Sequence, residues 1–418
     1  MFCGRFSSFV LASSLLAACG GDDAPPLDGT TTTEGDSSTG VVCDADLDGF
    51  NSIECGGTDC DDADPTIYPE APDSAWQFAS VDAGLLGDMM VTGLVIDGAG
   101  TLHAIYSDGA ESGPQGLWHA VQGSDGTWTP TQITTAEAYG DPSLLVDGAG
   151  ALRMLITTGA PGATQVQAGV LQGGAWSLEV VGDGTSTAQA LALDGAGVLV
   201  AVTATETEAT YWTHDGSAWT PEVVGPIANP VVVRAPDGTM QVVGPNASVL
   251  QYCQRDDDGT WDCADVTANS SVGAYGAESY ARHAPGAALH LISIDTVDTE
   301  RLVHRHLDDD TWGLTALSFL PSPQHGYSVV SDDSALHVAA WSEPLAVGAL
   351  AYAKFSGGDW SLDETVIEGD RNGWEPSMVV DGAGTPHVVF AETIQDDLLY
   401  AVRVGADGID QDCDGVDN

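Results

Sequence analysis

Three aspartates at alternate positions, Asp44, Asp46 and Asp48, stand before Gly49, and a second set, Asp410, Asp412 and Asp414, stands before Gly415 near the other end of the chain. Alternate carboxylates that converge while a glycine turns the backbone are the means by which a loop grips a hard cation, and Phe50 follows where such a loop adds a backbone carbonyl. Asp59, Asp61, Asp62 and Asp64 extend the first set and Asp417 the second. Fifteen acids fall in residues 43–73 and 407–418 without one base. A bound cation relieves the repulsion that simple solvated acidic loops would leave standing. Residues 20–73 and 405–418 contain no His and no Met, and an all-oxygen donor set selects Ca2+ and makes copper an unsuitable occupant. Neither loop completes an EF-hand: its twelfth position is Cys55, with Glu54 one place early, and the second loop meets the end of the sequence. The expectation is a calcium loop without long flanking helices.

Taken in order, Cys43 to Phe50, then Asp59-Cys60-Asp61-Asp62-Ala63-Asp64-Pro65, then Gly408 to Asn418 resemble the MopE-type putative metal-binding motif of myxobacterial-type surface proteins. In that family the three blocks are usually contiguous. Here residues 74–405 lie between them, so the resemblance implies one small acidic module, 43–73 plus 406–418, with a second domain inserted into it. An insertion of this kind requires a domain whose two ends meet. The family's extra Cys after the Pro-Glu segment is missing, so its disulfide pattern does not transfer.

The chain opens with Arg5 and the short apolar run Phe9 to Leu16, which is the pattern of a secretory signal over residues 1–18 and too short for a mature membrane span. Leu16-Ala17-Ala18-Cys19 resembles a bacterial lipobox, which makes Cys19 the lipidated first residue of the mature protein. Gly20 in place of Asp directs the expectation to the outer membrane. Residues 19–42, rich in Thr, Ser and Gly, read as a flexible tether. The expected location is therefore the bacterial cell envelope, on a surface-exposed outer-membrane lipoprotein held to the membrane by lipid. Six cysteines remain for an oxidising compartment: Cys43, Cys55, Cys60 and Cys413 in the acidic ends, in any of three pairings, and Cys253 with Cys263 across one hairpin.

The segment that must position all this is repetitive. Trp76, Trp128, Trp176, Trp219, Trp261, Trp312 and Trp360 recur at spacings of 52, 48, 43, 42, 51 and 48. Between them runs a second mark, Asp97-Gly98-Ala99-Gly100, repeated at 147–150, 194–197 and 381–384 and in weaker form at 236–238, 284–286 and 332–333. Each mark joins two short apolar strands, and a third strand leads into the Trp hairpin. Four antiparallel strands per unit at such a period predict an all-β, seven-bladed β-propeller. The lone segment Trp76 to Val81 at the start, and a last unit with three strands and no Trp segment, predict that the first strand closes the last blade.

Other candidates have plainer readings. His103, His290, His337 and His387 recur at one strand position, with Arg153, Val200 and Gln241 in the other units. They could line a funnel and hold a ligand, but a scaffold His bonded to its neighbouring turn accounts for recurrence with the strand. The seven Trp read as packing anchors before sugar platforms. Gly123 to Trp128 and its relatives resemble degenerate Asp-box hairpins of sialidases, yet no repeated Arg position supplies the carboxylate-binding cluster that a sialidase requires.

The 418 residues carry 62 acids against 10 bases, a net charge of −52, and no basic residue stands between Arg5 and Arg153. That excludes a nucleic-acid partner and an anionic membrane surface. Residues 74–405 alone hold 42 acids and nine bases, so the charge is not confined to the metal module. It is similar to the surfaces of salt-adapted proteins. The expected function is a calcium-binding lipoprotein, not an enzyme, whose propeller binds an extracellular glycan or protein. The alternatives are an envelope assembly scaffold, or a polysaccharide hydrolase or lyase acting in the propeller funnel.

Overall fold

The computed structural model describes residues 76–82, 92–108, 116–160, 163–182, 187–205, 208–246, 249–266, 279–283, 289–295, 301–308, 311–321, 326–332, 334–342, 349–368, 372–392 and 397–403. The signal, the lipobox Cys19, the tether, and the acidic blocks with Cys43, Cys55, Cys60 and Cys413 lie outside them.

Twenty-eight strands form seven four-stranded antiparallel sheets. Blade one is β2 (Thr92–Ile96), β3 (Leu102–Asp108), β4 (Gly116–Gln122) and β5 (Trp128–Thr134); blade two is β6 (Glu137–Val146), β7 (Leu152–Ala160), β8 (Ala163–Gln172) and β9 (Ala175–Gly182). Blade three runs from β10 (Thr187–Leu193) through β11 (Leu199–Ala204) and β12 (Ala209–His214) to β13 (Trp219–Gly225). Blade four contains β14 (Val231–Arg234), β15 (Met240–Asn246), β16 (Val249–Arg255) and β17 (Trp261–Asp265). Blade five contains β18 (Ser279–His283), β19 (Leu289–Asp295), β20 (Arg301–Asp308) and β21 (Thr311–Pro321). Blade six contains β22 (Tyr327–Ser331), β23 (Leu336–Ser342), β24 (Ala349–Ser356) and β25 (Asp359–Glu368). Blade seven joins β26 (Asn372–Val380), β27 (Pro386–Glu392) and β28 (Asp397–Arg403) to β1 (Trp76–Asp82), in the order β1-β28-β27-β26. The expected seven-bladed propeller, closed by its N-terminal strand, is the observed fold.

Closure is antiparallel and in register, from Trp76 opposite Arg403 to Ser80 opposite Leu399. Both ends of the propeller therefore emerge side by side, and β1 supplies blade seven with the fourth strand that the other blades have.

The Asp-Gly-Ala-Gly mark is a type I turn with a bulge. Asp97 Oδ1 accepts hydrogen bonds from the N–H groups of Ala99 and Thr101 at 2.8 and 2.9 Å, and Gly100 takes the left-handed φ of +85° that a side chain would resist. Asp147, Asp194 and Asp381 repeat the pattern. Many of the acids thus cap backbone turns, which explains why the hairpin tips are acidic.

Between blades, apolar side chains pack into a series of seam clusters. Serines at one inner-strand position also lace the blades together. Ser143 accepts from Leu191 N–H (2.8 Å), Ser377 from Leu94 N–H (2.9 Å) and Ser328 from Met378 N–H (3.1 Å).

Candidate functional site

Two positions in each blade build the ring of polar groups just inside the hairpin end. The first lies on the second strand, where His103, His337 and His387 stand 3.4, 3.1 and 3.5 Å from Asp97, Asp332 and Asp381 of their own turns. The second lies on the third strand. There His119 and His304 meet His103 and His290 at 2.9 and 2.8 Å, and Tyr352 and Tyr400 meet His337 and His387 at 2.6 Å. For His103 and His337, turn carboxylate, imidazole and aromatic partner form a chain that holds the ring by both nitrogens, whereas His387 is held through Nδ1 by Tyr400. The recurring histidines belong to this scaffold, as their recurrence with the strand implied.

Burial sets the protonation of these groups. Burial, with His103 beside it, pushes His119 down to about 4, and burial, with His290 and His306 beside it, pushes His304 down to about 3. His337 and His387 are lowered by burial too, although Asp332 and Asp381 pull the other way. Desolvation opposes ionisation of Asp332, yet the hydrogen bonds from Ser334, His337 and Ala335 prevail and hold it down at about 2.

The third-strand aromatic also receives the repeat tryptophan of the following blade, edge to face. Trp128 meets Tyr400 with ring centroids 5.4 Å apart, Trp176 meets His119 at 5.6 Å, Trp261 meets Tyr211 at 5.3 Å, Trp312 meets Tyr252 at 6.1 Å, Trp360 meets His304 at 5.4 Å and Trp76 meets Tyr352 at 5.5 Å. The tryptophans are packing anchors, as expected. At the seam between blades two and three the rule breaks. The third-strand position is Ala168, paired with Leu155 in the register that pairs Tyr211 with Val202 and His119 with Ile105. The second-strand position there is Arg153. Trp219, without an aromatic to meet, leans on His214 of its own blade at 4.8 Å and donates its indole N–H to Glu179 of blade two at 3.0 Å.

Beside this position lies an open cleft of about 840 Å3, lined among others by Asp147, Arg153, Ala168, Gln172, Glu179, His214 and Asp215. That volume falls in the range of ligand pockets, about 300–1,000 Å3. Arg153 Nε donates to Asp147 at 2.8 Å, and His214 Nε2 lies 3.3 Å from Glu179. The exception is visible in the sequence, since aligning the seven third strands leaves one alanine among six aromatics.

The axial channel is different. It is a smaller space of about 280 Å3, bounded by inner-strand residues such as Gly93, Leu94, Ser143, Leu191, Val232, Ser328 and Met378. Among the described residues, no carboxylate, imidazole or guanidinium lines it. Gly93 is demanded there, because a Cβ would meet Pro142 at 2.7 Å.

Cys253 and Cys263 are directly opposed on β16 and β17 and are disulfide-bonded, with Cα atoms 4.0 Å apart. The predicted metal ligands Asp44, Asp46, Asp48, Phe50, Asp59, Asp61, Asp62, Asp64, Asp410, Asp412, Asp414 and Asp417 lie outside the described residues. Within the described residues, no group of three or more His, Cys, Asp or Glu side chains is arranged to hold a metal.

The chain matches no protein-family model and no curated protein. Among solved structures, an ulvan lyase of a polysaccharide lyase family superposes with a TM-score of 0.55 at 11% identity, over 79% of this chain and 96% of its own. A catalytically inactive virginiamycin B lyase from Staphylococcus aureus, with quinupristin, gives 0.52 at 9% identity, over 78% and 99%. The NanB sialidase from Streptococcus pneumoniae gives 0.45 at 11%, over 78% and 70%. What these proteins share with the chain is the propeller.

Proposed function

We propose that the protein is a calcium-stabilised, lipid-anchored surface lipoprotein whose propeller binds an extracellular glycan rather than cleaving it. The observation that carries the reading is the axial channel, lined among the described residues by small, apolar and hydroxyl side chains without a titratable pair. Cleaving a glycosidic bond calls for positioned acid and base groups near the reacting atoms, and none stands among the described residues that line this channel. The ulvan lyase, bound to -[GlcA(1-4)Rha3S]-, supports a saccharide as the ligand class. The acidic ends, 43–73 and 406–418, would hold Ca2+ on the aspartates named above. Cys19 would carry the lipid. An array of extracellular polysaccharides, probed with the intact protein in calcium and assayed in parallel for new reducing or unsaturated ends, tests the reading. Retention without new ends is the expected result. New ends would make it an enzyme, and no retention on any glycan would favour an assembly scaffold.

A further inference from the structure

We propose that the seam between blades two and three is a saccharide-binding subsite that takes an uncharged, hydroxyl-rich unit; this rests on the glycan-binding reading above. The cleft lies at the one seam where the repeat omits its third-strand aromatic. Ala168 occupies the place where blades three, four, six and seven put Tyr211, Tyr252, Tyr352 and Tyr400, so the cleft reaches a part of the seam that a ring fills in those blades. The cleft opens to solvent, and it is lined by polar groups that retain bonding capacity.

Arg153 uses only its Nε on Asp147, which leaves both Nη nitrogens as donors without a partner among the described residues. Glu179 uses Oε1 on the Trp219 indole, and Asp215 uses Oδ1 on the backbone of Ser217 and Ala218. Their second oxygens remain as acceptors. A neighbouring pair of sugar hydroxyls needs both kinds of group, since each hydroxyl donates one hydrogen bond and accepts others. The charge pattern then selects within saccharides. A uronate or sialate carboxylate that reached Arg153 would share the cavity with three carboxylates, and an ammonium that reached the carboxylates would face Arg153. A neutral unit meets neither penalty.

The test restores what the repeat omits. Ala168→Tyr places the residue of blades three, four, six and seven into the cleft, and Arg153→Ala removes the donors while leaving the cleft open. Binding of the intact protein to neutral and acidic oligosaccharides is measured by calorimetry, with circular dichroism on each variant. The expected result is binding to neutral oligosaccharides that falls at least tenfold in both variants with the fold unchanged. Retained binding in A168Y would overturn the subsite and leave the glycan reading intact, and R153A decides the matter should A168Y not fold. Preference for uronate, sialate or amino-sugar ligands would overturn the assignment to an uncharged unit. No binding to any glycan would overturn both readings.

Discussion

Trp176 of blade two meets the edge of His119 in blade one at 5.6 Å, and the same handover from one blade to the next recurs at five other seams. The ring is therefore held by a relay of aromatic pairs, and the cost of breaking a link depends on what stands opposite. Truncating Trp176 or Trp261 to alanine should destabilise the fold by about 3 kcal/mol. Trp219→Ala, which loses no such pair, should cost clearly less in the same urea titration.

Acid should loosen the propeller through its buried imidazoles. The folded state keeps His119 and His304 neutral far below pH 6.5, whereas the unfolded chain protonates them there. Their contribution is complete above pH 6.5 and is lost as the pH falls toward about 4, at roughly 1.4 kcal/mol per pH unit for each histidine. Tyrosine is the natural partner at this position in blades six and seven. The double variant H119Y/H304Y should keep the bonds to His103 and His290, lose the one from the Trp360 indole to His304, and show a flatter stability profile between pH 6.5 and 4.5, read from urea midpoints.

Deleting residues 74–82 should remove the fourth strand of blade seven and expose the outer edge of β28. A lower melting temperature and new dimers or aggregates in light scattering are the expected outcome. An unchanged melting temperature would contradict the closure.

Replacing Cys253 and Cys263 with serine should cost about 2–3 kcal/mol through the loop entropy returned to the unfolded chain. Because the bond lies on the outer hairpin of blade four, the propeller should still form, as near-UV dichroism would show.

Calcium is expected to raise the melting temperature of the intact protein, and a chelator to lower it. Replacing Asp44, Asp46 and Asp48 with asparagine should abolish that difference. Added NaCl should not reduce stability steadily if the acidic surface is a salt adaptation.

The propeller was legible because its determinants are local and repeated. An Asp that caps a turn, a glycine that takes positive φ and a Trp at the start of an outer strand leave a fixed spacing wherever they occur. The closing blade was legible from Trp76 alone, since a Trp strand with no partners before it has only the incomplete last unit to join. The seam pocket was not. It arises where Arg153, Ala168 and Glu179 of blade two, each unremarkable in its own strand, face Leu199, His214 and Asp215 on the side of blade three. The axial channel was equally out of reach, because which residues face the axis depends on how close the inner strands approach, as at Gly93 against Pro142.

The pairing of Trp76 with Arg403 has a mechanical meaning. Both ends leave the fold at one point on an antiparallel ladder, so a pull on either end opens β1 from β28 one rung at a time instead of shearing every rung together. A protein held by a tether before residue 76 carries its load at its weakest geometry. A clasp that joined the chain before Trp76 to the chain after Arg403 would bypass that ladder and let the ring bear drag without unzipping.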